Sequence, residues 1–578
     1  MTVDQRIDTD VLVIGGGLAG TFAAIKAKEA GAEKVTLVSK GLLGKDSIST
    51  FAAGVWKMIL PEDDKDEELK KYASGYAFSE GLYDEEWLNV YLADNYARVM
   101  DMAKYGVDWQ KTPDGKFERI EMRWKIKMGM FPGPRMMEVM AKKVKDSAIQ
   151  VIGHTMMTDL LIEKGTGERV IGAVGFDVRT GEFKVFKARS TVLAAGGCGF
   201  KGRFSCHKFQ TGEASAMAYR AGAELGNFEI GGDRSHTTAM AFDIQGLNMF
   251  VGLGGHFVNA EGERFMLEYD PELNDYAGMS RVSEAGAMEI RAGRGPIYLD
   301  MSHFTPAQVQ KLRKVVPIPT KIMERAGVIV GDRIVRRMEW GPAFFGTLGE
   351  GGGVMANTRC ETSLPGLYAC GDAKQRANVM DGSLTGAAIS GARAGVFAAE
   401  YARGVKESVI DEGQVERFKK SAFEPLERKE GNEPHHIIIG INETLIPYEI
   451  SLLARADRLE RAIEEIERIR DEEVPLLYAT DAHCLRLANE ARSMVLVAEM
   501  YLRSRLLREE SRNGCLREDY PYTDNVNWLK WTKLKQGDGK MKVWTEDLPV
   551  EKYKVKPKRY KHLYPVFEVA SKRGIKWG

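Results

Sequence analysis

Residues 10–30 read DVLVIGGGLAGTFAAIKAKEA, and this stretch decides the fold. DVLVI is the short, continuous apolar run of a strand buried on both faces. Gly15, Gly17 and Gly20 follow with GxGxxG spacing, where the strand gives way to an alanine-rich amphipathic helix. Gly31 ends that helix, and KVTLVS at 34–39 supplies a second strand. The whole is one βαβ unit of about 30 residues, the context in which this glycine pattern carries meaning. The glycines permit a tight turn and the close approach of a pyrophosphate. The helix N-terminus offers that anion free N–H groups and the positive end of its dipole. A bound dinucleotide is the expectation.

The next residues bear on which dinucleotide. A second strand of this kind ordinarily ends on an acid that bonds ribose hydroxyls; here it ends on Ser39-Lys40. Lys40 reads as a contact for the extra phosphate of NADP; a second reading rests on the residues that follow. GLLGKDSISTFAAG, 41–54, is rich in Gly, Ser and Thr and too long for a simple βα turn. Such a loop can wrap a large flat ring through its backbone N–H groups, which favours a flavin over a nicotinamide. Ser47, Ser49, Thr50, Ala53 and Gly54 are its candidate contacts.

At 578 residues the chain predicts two to four domains. Lys+Arg and Asp+Glu are equal at 82 each, so no basic excess points to nucleic acid. No apolar run approaches the roughly 20 residues needed to span a bilayer. The start, MTVDQRIDTD, is acidic and polar, so a signal peptide is not expected. A cytoplasmic protein is expected, with no direct membrane insertion and any membrane contact made through a partner. Six cysteines lie at 198, 206, 360, 370, 484 and 515, without CxxC pairs or zinc spacing. Small buried thiols are expected and no metal site; the closely spaced cysteine runs of an iron–sulfur cluster are missing.

At this point the sequence resembles the flavoprotein subunits of succinate dehydrogenase and fumarate reductase, whose relatives include L-aspartate oxidase and the adenylylsulfate reductase alpha subunit. In that superfamily the second strand commonly ends in Ser-Lys before a Ser/Thr-rich loop over the isoalloxazine. Further blocks match in order. STVLAAGGCGF (190–200) is similar to the second glycine strand, TGEASAMAYRAGAEL (211–225) to the TGDGxxMAxRAGA helix, and GGHFVNAEGERFM (254–266) to GGxLxNxxGERFM. PIYLDMSHF (296–304) resembles VYLDxxH, and TRCETSLPGLYACGDA (358–373) the late strand that closes the flavin site. REESRNGCLREDYPYTDNVNWLKW (508–531) resembles RxESRGxHxRxDxPxxDdxNWL.

The resemblance implies an α/β fold: a Rossmann-like FAD-binding domain with an inserted α+β capping domain, followed by a C-terminal helical domain. The expected boundaries are 1–235 and 350–405 for the FAD-binding domain, 236–349 for the cap, 406–515 for the helical domain and 516–578 for a surface arm. Residues 450–512 support the helical domain directly. Apolar residues recur there at three and four, and Glu with Lys and Arg fill a solvated face. The implied FAD contacts are Gly15, Gly17, Gly20, Ser39, Lys40, Ser47, Ser49, Thr50, Ala53 and Gly54 from the first unit. Met157, Ala195, Gly196, Gly197, Glu213, Gly371, Asp372, Ser383 and Leu384 follow from the later blocks.

In covalent members of the family a histidine of the loop is tethered to the flavin. Ser49 stands in its place, so a noncovalent FAD is expected. The family also uses an arginine of the cap to carry a proton; in MSRVSEAGAMEI the match is Arg281, with Glu284 or Asp300 as the base behind it. A surface ion pair is the alternative reading of Arg281. The family's FHPTG segment, which holds one substrate carboxylate, has SHTTA as its nearest match, giving His236, Thr237 and Thr238. HYTMGG has no match, PAFFGTLGEGGG standing in its place. The arginine of GANRLGSNSL is Val379 here, with Arg376 three residues earlier as the candidate replacement. An unpartnered buried carboxylate costs several kcal/mol, so a plain dicarboxylate is not the expected substrate. An enoate, a thioester or a sulfur compound fits better.

The resemblance thus implies two-electron transfer at flavin N5 in a fumarate reductase/succinate dehydrogenase-like flavoprotein subunit, exchanging electrons with an iron–sulfur partner subunit. The alternatives are an adenylylsulfate reductase-like or L-aspartate oxidase-like enzyme, or an electron-relay flavoprotein without its own substrate. The loop RWKIKMGMFPGPRMM, 123–137, either sets Arg123, Lys125, Lys127 and Arg135 near an anion or is plain solvent loop.

Overall fold

The computed structural model describes residues 5–52, 54–73, 81–121, 126–163, 169–202, 208–230, 247–340, 352–376, 381–512 and 514–577. The central sheet has seven strands: β1 (Gln5–Ile14), β2 (Val35–Val38), β3 (Gln150–Ile152), β4 (Thr155–Glu163), β5 (Arg169–Asp177), β6 (Phe183–Leu193) and β7 (Leu367–Ala369). Their spatial order is β3-β2-β1-β6-β5-β4, with β7 also against β6. β1 pairs in parallel with β2 (Val13 opposite Leu37) and with β6 (Val13 opposite Val192). β6 is shared. Its first half pairs antiparallel with β5, while Thr191–Leu193 pair in parallel with β7. The parallel half therefore ends its strands at the glycine turns, and the antiparallel half forms a side wall.

Helix α1 (Leu18–Glu29) departs from the amphipathic expectation: every residue from Leu18 to Ile25 is buried. The cause is a second helix, Leu384–Gly404, laid across its outer face. A Cβ on Gly391 would stand 2.3 Å from the Ala19 carbonyl oxygen, and one on Gly395 2.1 Å from that of Ala23. The two backbones touch, so α1 is covered by sheet on one side and helix on the other.

Between β6 and β7 in the chain lies a cap. Its antiparallel sheet is built from His256–Val258, Tyr298–Asp300 and Met338–Glu339, and the helix Met279–Arg291 packs beside it. The C-terminal helices Pro434–Leu445, Ala456–Arg468 and Ala482–Leu507 follow. In Ala456–Arg468 the buried residues are Leu459, Ala462, Ile463 and Ile466, one apolar stripe, as its period predicts.

The expected surface arm is instead packed into the body. Strand Lys530–Gly537 adds to Leu225–Gly226 and buries Trp531, Thr532 and Leu534. Tyr553 donates to the Tyr83 carbonyl at 2.9 Å, and the N–H groups of Lys554 and Val555 donate to Glu85. Helix Pro565–Lys572 buries Val566 and Phe567. Adjacent Trp531 and Thr532 are both buried, so the strand lacks a clean period of two that the sequence could show.

The REESR run is a buried keystone. Arg508 Nε donates to Glu229 at 2.9 Å and its Nη1 to Glu510 at 2.7 Å, and Arg512 makes two bonds to Glu510. All four side chains are fully buried. Arg505 and Arg517 also donate to backbone carbonyls, including those of Leu452, Leu516 and Leu506.

Candidate functional site

α1 opens at Gly17 into a cleft of about 410 Å3 bounded by the ends of β1, β2, β6 and β4. Gly15 has φ +126°, and a Cβ there would stand 2.2 Å from the Ala194 carbonyl oxygen. A Cβ on Gly20 would meet the Gly15 carbonyl oxygen at 1.9 Å. Both glycines are therefore required by contact as well as by the turn. No acidic residue stands in the first turn of α1, and the side chain that meets it is neutral: Ser49 Oγ accepts from the Leu18 N–H at 3.1 Å. That leaves an N-terminus suited to an anion.

Most of the expected contacts line this cleft: Gly15, Gly17, Ser39, Lys40, Ser47 and Ser49 on one wall, and Met157, Ala195, Gly196, Glu213, Gly371 and Asp372 on the other. Others serve from behind. Gly20 packs under the turn, Thr50 shares a hydrogen bond with Ser47 at 3.0 Å, and the Gly197 carbonyl accepts from the Gly212 N–H at 3.2 Å. Gly54, with φ +81°, sits where a Cβ would be 1.9 Å from the Phe131 carbonyl oxygen, so it shapes the loop's base. Ser383 is strained at φ +141° and starts the helix whose first residue is the buried Leu384. Such strain in a non-glycine residue concentrates at functional sites. Ala53 lies outside the described residues.

Lys40 is not free to meet an added phosphate. Its Nζ lies 2.6 Å from Glu213 and 2.7 Å from Glu490, and donates to Thr211 at 2.7 Å. Burial lowers its pKa, but the two carboxylates outweigh that and hold it above the ordinary lysine value. Burial alone would raise the Glu490 carboxyl; Lys40, Lys201 and Arg486 instead hold it at about 2. At the opposite end, burial raises the carboxyl of Asp372 against the opposing pull of Arg376. The sequence reading missed His154, Gln210, His483, Arg486 and Glu490 here. The last three come from helix Ala482–Leu507, remote in the chain, and carry no motif.

On the cap side, Arg281 stacks over Tyr564, 4.7 Å from the ring centroid. Both expected bases behind it also hold other groups. Glu284 accepts from the Gly514 N–H at 2.7 Å and the Tyr564 hydroxyl at 2.9 Å. Asp300 accepts from Ser302 and from Arg337 Nε at 2.9 Å. Asp270 also feels Arg281: burial raises its carboxyl and the Arg281 charge pulls it back. Arg376 is largely buried, with Gly382 directly against its guanidinium, and its carbonyl accepts from Asn227 at 3.1 Å. His236, Thr237, Thr238 and Val379 lie outside the described residues, as do Arg123 and Lys125. Lys127 lies 3.6 Å from Asp63, and Arg135 is exposed on helix Gly133–Asp146.

Fold and cleft together define a dinucleotide-binding α/β protein with a cap. A family model described as an FAD binding domain matches residues 10–390, and one described as fumarate reductase flavoprotein C-term matches 446–562. One subunit of the fumarate reductase (CoM/CoB) of Methanothermobacter marburgensis is 29% identical, covering 90% of this chain and 96% of that protein. An uncharacterized FAD-dependent oxidoreductase of Methanocaldococcus jannaschii is 27% identical over 93% of this chain and 98% of its own length. Among solved structures, a mutant of E. coli quinol fumarate reductase superposes with TM-score 0.82 at 22% identity, covering 96% of this chain and 99% of that one. Adenylylsulfate reductase of Archaeoglobus fulgidus gives 0.78 at 22% identity, covering 94% and 96%. These two share the fold.

The chain belongs to the FAD-binding oxidoreductase family of fumarate reductase and succinate dehydrogenase flavoproteins. Its cofactor is FAD. The residues present fit that group: a cradle at Gly15 and Gly20 that a Cβ would fill, an uncharged helix start, and a cleft running from Lys40 to Asp372. Four of the five described cysteines are buried, Cys484 being partly exposed; Cys206 is not described. No described helix is long and apolar enough to cross a membrane.

Proposed function

We propose that the chain is the flavoprotein subunit of a fumarate reductase/succinate dehydrogenase-like complex. It passes electrons between an unsaturated substrate and an iron–sulfur partner. FAD, held noncovalently, supplies two-electron exchange at N5. Arg281 carries the proton to or from the substrate carbon. Arginine stays protonated, so it relays a proton only with a base behind it. Asp270, raised by burial and pulled back by the Arg281 charge, joins Glu284 and Asp300 as a candidate for that role. The cap closes over the ring end and excludes water. His236, Thr238 and Arg376 orient the substrate, and with Val379 at the second carboxylate position a plain dicarboxylate is disfavoured against an enoate, a thioester or a sulfur compound.

The observation that carries the partner is in the sequence: the chain is a flavoprotein without closely spaced cysteines, so electrons leave it to another molecule. The names of relatives described as subunits support the same reading. Isolation of the native complex tests it. An iron–sulfur protein that co-purifies and is reduced through the flavin is expected. A lone flavoprotein that reoxidises rapidly in air with peroxide release would contradict it.

A further inference from the structure

Helix Ala482–Leu507 belongs to the C-terminal helical region, yet it forms a wall of the cofactor cleft. Asp481 caps it by accepting from the Cys484 N–H at 2.8 Å, and its first two turns bring His483 and Arg486 to the cleft. One turn further, Glu490 is fully buried. It meets Lys40 at 2.7 Å, Lys201 at 2.8 Å and Arg486 at 3.3 Å. On its other side Lys40 meets Glu213 and Thr211, and the Thr211 hydroxyl donates to Glu213 at 2.6 Å.

In this fold the ribose next to the adenine lies at the end of the second strand, where Ser39 and Lys40 stand. An acid ordinarily placed there is missing. Glu213 reaches the same place from the other wall, its carboxylate held 2.6 Å from the Lys40 ammonium. Lys40 in turn needs a second carboxylate to hold its position, because a partly buried ammonium left half-paired is costly. That carboxylate is Glu490. The cluster balances two carboxylates against three cations, and its outer members face the site.

We infer that Glu490 is a positioning residue for the adenosine half of FAD: acting through Lys40, it holds Glu213 toward the ribose and couples docking of helix Ala482–Leu507 to cofactor binding. This rests on the reading that the pyrophosphate lies at the start of α1. It makes the helical region part of the cofactor site, which the βαβ fingerprint alone does not require.

The test uses full-length apoprotein, reconstituted with FAD and separately with FMN, which lacks the adenosine half. In Glu490→Gln the FAD dissociation constant, read by flavin fluorescence, rises about tenfold or more while that for FMN is unchanged. Glu490→Asp, which keeps a carboxylate, recovers part of the loss and serves if the glutamine variant does not fold. In the wild type, amide exchange in 482–507 slows with FAD and not with FMN. Equal FAD affinity in both proteins, equal weakening of FAD and FMN, or exchange that FMN slows as much as FAD would each overturn the inference. Failure of the wild type to bind FAD would instead strike the reading beneath it.

Discussion

Arg281 of the cap lays its guanidinium over the ring of Tyr564, 4.7 Å from the centroid. The same tyrosine donates its hydroxyl to Glu284, one turn along the helix that carries Arg281. The C-terminal segment therefore fixes the arginine's direction. Arg281→Gln is expected to lower substrate turnover by about a hundredfold to ten-thousandfold, the range for loss of a positioned proton donor. FAD content should stay at the wild-type level. Equal turnover in the variant, read by steady-state kinetics, would mean that Arg281 forms only a structural contact.

Gly15→Ala forces a Cβ to 2.2 Å from the Ala194 carbonyl oxygen at a φ of +126°. Both the strain and the contact fall where the pyrophosphate approaches. The purified variant should lack flavin, as judged from its visible absorption, while keeping its far-UV circular dichroism. A yellow Gly15→Ala protein with the wild-type flavin content would contradict the placement.

By the family resemblance Ser49 stands where a covalent member would carry histidine, and its hydroxyl accepts from the Leu18 N–H at 3.1 Å. All of the flavin should therefore pass into the supernatant when the holoprotein is precipitated with acid. Flavin that remains with the pellet would show a covalent link elsewhere.

Much of this site is legible in the sequence because its signals are local. The turn at Gly15–Gly20, the Ser39-Lys40 ending and the TGE run each sit within one βα unit, where spacing fixes geometry. What escapes is long-range. Lys40 meets Glu490 on a helix hundreds of residues away whose charges read as a solvated face. Strand Leu225–Gly226 has two residues, too few for a period, yet it anchors Lys530–Gly537. The burial of α1 on both sides comes from Gly391 and Gly395, glycines whose meaning appears only once Ala19 and Ala23 lie against them.

Glu490 contributes to the loss of stability in acid. Its folded value, about 2, lies below the ordinary 4.5. A depressed carboxyl stabilises the fold fully above its unfolded value, and that contribution is lost as pH falls towards the folded one. The stability gap between the wild type and Glu490→Gln, measured by urea unfolding, should be full at neutral pH and shrink between 4.5 and about 2. A gap that does not change across that window would contradict the ion-pair account.

Arg508 is fully buried between Glu229 and Glu510. Arg508→Ala leaves two buried carboxylates short of a partner, at a cost of about 3–5 kcal/mol. Thermal unfolding of the variant should start well below that of the wild type. An unchanged transition would mean that the REESR run does not hold the C-terminal segment in place.

The most direct test is anaerobic. The holoprotein is photoreduced with a sacrificial electron donor and mixed with unsaturated acids, their thioesters and sulfur anions while the flavin absorption is followed. At least one of these compounds should reoxidise the wild-type flavin rapidly and the Arg281→Gln flavin far more slowly. If no compound reoxidises it, or if both proteins respond at the same rate, the chain is not an enzyme of the kind proposed.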